Sequence, residues 1–106
     1  MAKTDRDAVV RAQVLLLGTE EPELLERIAA YRVLAEVGPL TYLPKLSGAL
    51  CELADAPVLE DRPELRLRYF SEALEIARRL GEDEPARDAL VREARSGCER
   101  VAADAG

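Results

Sequence analysis

The chain has no histidine and no tryptophan, a single phenylalanine, and aromatic residues at only 4% of its 106 positions. Without histidine neither a Ser-His-Asp triad nor a Cys-His pair is available, and the usual nitrogen ligand of zinc is missing. Metal sites built from inward-facing glutamates in helical bundles normally draw on Glu-x-x-His motifs, so the same absence leaves them incomplete. Scarce aromatics weigh against sheets, whose strands favour aromatic and β-branched residues. No apolar run approaches 18 residues, VLLLG at 14–18 is too short to cross a bilayer, and the opening MAKTDRDAVV lacks the apolar core of a signal peptide. No membrane segment and a cytoplasmic location are expected. The two cysteines, Cys51 and Cys98, have no CxxC spacing and lie among apolar neighbours, which predicts two core thiols. A disulfide between them would require contact between their helices and would be kept reduced in the cytoplasm. There is no GxGxxG and no phosphate loop, and nothing in the chain asks for a cofactor.

Basic charge is also in short supply. Twenty-one Asp and Glu against fifteen Lys and Arg leave a formal charge of −6, which repels nucleic-acid backbones and anionic lipid surfaces. Arginine is locally dense at Arg62, Arg66 and Arg68 and at Arg78 and Arg79. On a helix these side chains diverge, with glutamates between them, so they read as a solvated surface. Glu52 and Asp55, three apart, and the phenols of Tyr31, Tyr42 and Tyr69 are the polar groups that a pocket could use. The bland reading of each is a wet carboxylate or a packed ring with its hydroxyl in water.

What the chain does have is helical patterning. Hydrophobic residues make up 48% and charged residues 34%, enough for one domain over residues 1–106 with a modest core. The stretch 42–81 organises the rest. Leu43, Leu46, Leu50, Leu53 and Ala54 recur three and four apart, as do Leu67, Phe70, Ala73, Leu74, Ala77 and Leu80, the spacing that places each set on one side of a helix. Between them, Asp61 as N-cap, Pro63 in the first turn and Glu64 predict a helix start, and Gly81 predicts a left-handed C-terminal stop. Glu64 with Arg68 and Glu75 with Arg79 are favourable i,i+4 pairs.

Taken in order, a capping-box-like Thr4 and Asp7 open a helix carrying Val9, Val10, Gln13, Val14, Leu16 and Leu17, which stops at Gly18. Thr19 to Pro22 open a second helix, with Leu24, Leu25, Ile28, Tyr31, Leu34 and Ala35 on its buried side and Gly38 at its end. Pro39 argues against continuation, and Thr41 to Pro44 open a third. Asp83, Glu84 and Pro85 start a last helix with a thin stripe of Ala86, Leu90, Ala94, Cys98 and Val101. The predicted helices span about 5–17, 20–37, 42–55, 62–80 and 84–103. PELLERIAAYRVLAEVG at 22–38 and PELRLRYFSEALEIARRLG at 63–81 share a Pro-Glu-Leu opening and a glycine stop. That similarity predicts an all-α chain of two antiparallel helical hairpins and a C-terminal capping helix. The alternative is an irregular five-helix bundle.

Leu50, Leu53 and Ala54, followed by Phe70 and Ala73 within YFSEALEIARRLGEDEPA, resemble one tetratricopeptide unit of the longer variety found in kinesin light chains and actinobacterial regulators. The resemblance covers roughly forty residues, and it departs from the family pattern at Pro57 and Arg66. It implies a right-handed stack whose first helices line a concave surface, and a function as a cytoplasmic adaptor or regulatory module that binds a peptide or partner protein. No catalysis is required. The leftover positions that would meet the partner are Lys45, Gly48, Glu52, Asp55, Arg92, Ser96 and Glu99, polar and mixed in sign. Neither nucleic acid nor membrane is an expected partner, and no oligomeric state is predicted. The alternative is a small-molecule-binding helical bundle or an accessory biosynthetic enzyme working through carboxylates and tyrosines, which would need an apolar pocket with convergent acids.

Overall fold

The computed structural model describes residues 22–105. Among them are four α-helices and no strand: α1, Pro22–Ala35; α2, Pro39–Ala54; α3, Pro63–Arg78; and α4, Arg87–Ala105. A 3-10 turn, Pro57–Leu59, joins α2 to α3. The predicted helix at 5–17 lies outside the described residues. Each helix packs mainly on its chain neighbours, and α2 also touches α4.

Helix existence follows the apolar spacing, but three boundaries differ from expectation. α2 starts at Pro39 rather than near residue 42. Gly38, at φ −131° and ψ 69°, stays outside the helical region that a following proline disfavours, and Pro39 occupies the first helical position, where a missing N–H costs nothing. The Thr41 and Tyr42 amides then donate to the Gly38 carbonyl. Pro44 consequently lies inside the helix, where it removes one backbone hydrogen bond in the first turns, next to the highly exposed Leu40. α3 is capped by Arg62, not Asp61, with no side-chain hydrogen bond to the cap. It ends at Arg78 without a left-handed glycine, since Arg79 stays right-handed and Gly81 lies outside the positive-φ region. The Arg79 and Leu80 amides instead close tight turns onto Ile76 and Ala77. α4 starts at Arg87 rather than 84, because Glu84 and Pro85 are spent in turns, where the Glu84 amide donates to Gly81 and the Arg87 amide to Glu84. The Arg87 Nε reaches back to the Leu80 carbonyl at 3.1 Å and ties the start of α4 to the end of α3.

The core joins Leu24, Leu25 and Ile28 of α1 to Leu46, Leu50 and Leu53 of α2, Phe70 and Ala73 of α3, and Ala94 and Val101 of α4. Leu50, Leu53 and Phe70 are fully buried, with Leu74 packed against them. Two predicted core positions turn outward: Leu34 and Leu67 are each 39% exposed. Cys51 is buried and Cys98 half-buried, and both are free thiols. α4 lies close against α3 at Gly97, where an added Cβ would sit 2.4 Å from the Phe70 ring. The glycine lets the core's only phenylalanine lie directly on the α4 backbone. Ser47 is the one buried polar side chain described, and its hydroxyl donates to the Ala73 carbonyl at 2.9 Å. That bond fastens α2 to α3 and leaves no buried side-chain N or O atom unsatisfied among the described residues.

Candidate functional site

The seven residues expected on the binding face do not form one open row. On α2, Lys45 is exposed, with Nζ 6.0 Å from the centre of the Tyr42 ring, and that ring in turn meets Tyr31 at 6.3 Å. Glu52 is engaged by α1, where Arg27 donates to both its oxygens at 3.4 Å. Asp55 accepts from Arg66 at 3.3 Å and lies 3.7 Å from Arg100 of α4, while Arg66 Nε also donates to the Ala54 carbonyl at 2.8 Å. Gly48 is half-buried in the α2–α4 contact, where an added Cβ would touch Leu90. Arg92, Ser96 and Glu99 are exposed on α4 and share a depression of about 270 Å³ with Asp88, Val91 and Arg95, to which α2 contributes nothing. Two of the four α2 residues are thus held in ion pairs that brace neighbouring helices.

A larger concavity, about 500 Å³, lies where α1, α2 and α3 meet. Leu43, Leu46 and Ile76 form an apolar floor, Leu46 and Ile76 being buried. Charged pairs stand at its rim. The Arg32 guanidinium grips Glu72 in a two-pronged contact, its Nη2 donating to Oε1 at 3.0 Å and its Nη1 to Oε2. Arg79 bonds Glu75 at 2.8 Å, so one of the two predicted i,i+4 pairs forms part of this rim. Glu36 and Ala35 complete the α1 side. Hydrogen bonding to Glu72 raises the Arg32 pKa above its ordinary value, against a partial desolvation that lowers it. The pair is half-buried, so it fixes α1 against α3 more firmly than a fully exposed pair would.

By sequence, Glu72 and Glu75 fall on the flanks of their helix and Arg32 has no evident role. The available signal was the i,i+3 spacing of the two glutamates and their setting beside Ile76; the partner of Glu72, forty residues away, carries no local mark. Tyr69 is buried and packs into the core, so its ring does not open a pocket mouth.

Cys51 is poorly suited to nucleophilic work. Burial pushes its thiol up to about 12, and the Glu93 and Asp55 carboxylates act in the same direction. No group of three or more Cys, Asp and Glu positioned to hold a metal ion occurs among the described residues. No helix among them is long and apolar enough to cross a membrane. The chain matches no protein-family model, no curated protein and no solved structure.

Proposed function

We propose that this protein is a small cytoplasmic interaction module that holds a peptide or a helix of a partner protein, and that its main docking groove is the α1–α2–α3 concavity. One observation carries the reading: an open groove whose apolar floor of Leu43, Leu46 and Ile76 is bordered by the Arg32–Glu72 and Glu75–Arg79 pairs. An apolar centre with a polar, hydrogen-bonding margin is the anatomy of a protein-binding surface, and an amphipathic helix or extended peptide fits it. The succession of neighbour contacts, with α2 also reaching α4, supports the tetratricopeptide-like stack of hairpins. Glu72 and Glu75 on the rim are engaged by arginines and the concavity is open, which favours a peptide over an enclosed metabolite.

The test is a selection from a random peptide display library, followed by binding measurements on the wild type and two variants. Glu36→Lys/Glu75→Lys reverses charge on the groove rim, and Lys45→Glu/Arg92→Glu does so on the face predicted from sequence. Groove binding predicts at least about tenfold weaker affinity in the first variant, little change in the second, and affinity that declines with salt. Equal binding to both variants overturns the groove assignment. Failure to enrich any peptide, together with a rise in melting temperature on adding a small metabolite, overturns the adaptor reading.

A further inference from the structure

The groove stands on unequal supports. Its α3 side is anchored in the core, since Ile76 is buried and its helix neighbours Ala73 and Ala77 are fully so. Its α1 side is not. The buried residues of α1, Leu24, Leu25 and Ile28, all lie in the first half of the helix. From Ala29 to Ala35 none is buried, although Arg32 and Ala35 line the groove. The corner that follows is thinly packed as well, with Val37 85% and Leu40 83% exposed and Pro44 withholding a backbone hydrogen bond from the first turns of α2. A segment with few buried contacts opens locally at a small cost in free energy. Tyr31, whose ring meets Tyr42, ties this half of α1 to α2. Towards α3 the described tie is the two-pronged contact of Arg32 with Glu72, and α1 otherwise meets α3 only marginally.

We propose that the Arg32–Glu72 pair is a latch that holds the C-terminal end of α1, a movable wall of the groove, against the fixed wall of α3. Its release lets residues 32–38 open together while Leu24, Leu25 and Ile28 stay in the core, and so widens the groove without unfolding the domain. A forked guanidinium–carboxylate contact suits this task. It is directional and specific, yet with its two side chains 35% and 31% exposed it stays open to competition from water and salt. Both partners line the groove, so whatever enters meets the latch itself. The Glu75–Arg79 pair cannot do the same work, because both of its ends belong to one stretch of α3 and its end, and they move together. That the latch regulates binding rests on the groove being the docking site. That it holds the wall does not.

Hydrogen–deuterium exchange on the full chain, with no peptide present, reads the latch directly. Glu72→Gln keeps the shape and removes the charge, Glu72→Arg sets two guanidiniums against each other, and Arg32→Glu/Glu72→Arg restores the pair in reverse. Amides 32–38 should exchange at least about threefold faster in Glu72→Gln and faster again in Glu72→Arg, with 46–54 and α4 unchanged. The swapped variant should return to within about twofold of the wild type, and high salt should speed exchange at 32–38 in the wild type but not in Glu72→Gln. Unchanged exchange at 32–38 overturns the latch. So does acceleration spread equally through α2, α3 and α4, which would make the pair a brace of the whole fold, or a swapped variant no slower than Glu72→Arg. A peptide selected on the groove should then bind Glu72→Gln with an affinity at least about threefold different from that for the wild type, and equal affinity overturns the regulatory role. The expected exchange pattern without any groove-binding peptide supports the latch and tells against the docking reading alone.

Discussion

Gly97→Ala tests the close packing of α4 on the Phe70 ring. In an exposed helix, replacing glycine by alanine stabilises by about 1 kcal/mol, because glycine loses more backbone freedom on folding. At position 97 the new Cβ would lie 2.4 Å from two carbons of the Phe70 ring and 2.6 Å from a third. Carbon atoms pack at about 3.5 to 4.0 Å, so ring and helix must separate by roughly 1 Å. The ring is rigid and fully buried, with Leu50 and Leu53 in the same core, and it has no free side to swing into. Overpacking of this kind costs about 1 to 3 kcal/mol and occasionally more, enough to outweigh the propensity gain. The expected net effect is a loss of up to about 2 kcal/mol, with the melting temperature falling by roughly 4 to 8 °C for each kcal/mol lost in a domain of this size. Gly48→Ala is the matched control. Its Cβ would meet Leu90 at an ordinary 3.8 Å, so the propensity gain should survive and the melting temperature rise by a few degrees. Circular dichroism melts of the two variants, and of Gly97→Ala combined with Phe70→Leu, complete the experiment, the double variant recovering part of the loss by returning volume. A rise in melting temperature for Gly97→Ala equal to that for Gly48→Ala would refute the close packing of α4 on Phe70.

Phe70→Ala should cost about 3 to 5 kcal/mol, read from urea unfolding, since it empties the centre where α2, α3 and α4 meet. Ser47→Ala should cost about 0.5 to 1.5 kcal/mol in the same assay by removing the buried hydroxyl that ties α2 to the Ala73 carbonyl. Cys51 should react with a thiol reagent far more slowly in the native state than in denaturant, while the half-buried Cys98 reacts at an intermediate rate. The raised Cys51 pKa also makes stability depend on pH. Between the ordinary value of 9.0 and about 12 the unfolded chain has released the thiol proton and the folded chain has kept it, so stability falls as pH rises through that window. Subtracting the profile of Cys51→Ala isolates the slope, and parallel profiles would show that the thiol is not desolvated.

Which segments become helices was legible in residue spacing, because the 3.6-residue period and the proline-bearing starts act over one or two turns. The pairing of Leu50 and Leu53 with Phe70 came from the two strongest stripes, as did the Glu75–Arg79 pair. Helix ends were less legible. Pro39 both ends the preceding helix and begins the next one, and local chemistry alone does not decide between a start at 39 and one at 42. The faces of α1 were ambiguous for a related reason: with apolar residues on two sides, Leu34 looks as buried as Ile28 until α2 is seen to take the Leu24–Ile28 side. The candidate groove was the least legible feature. Arg32 meets Glu72 across forty residues, and Asp55 meets Arg66 and Arg100 on two different helices. Such pairings depend on how far each helix is rotated about its axis and how closely its neighbour approaches, quantities set by packed volumes such as the Phe70 ring against Gly97. Secondary structure was therefore decided by short-range periodicity along the chain, and the binding surface by the packing of helices distant in sequence.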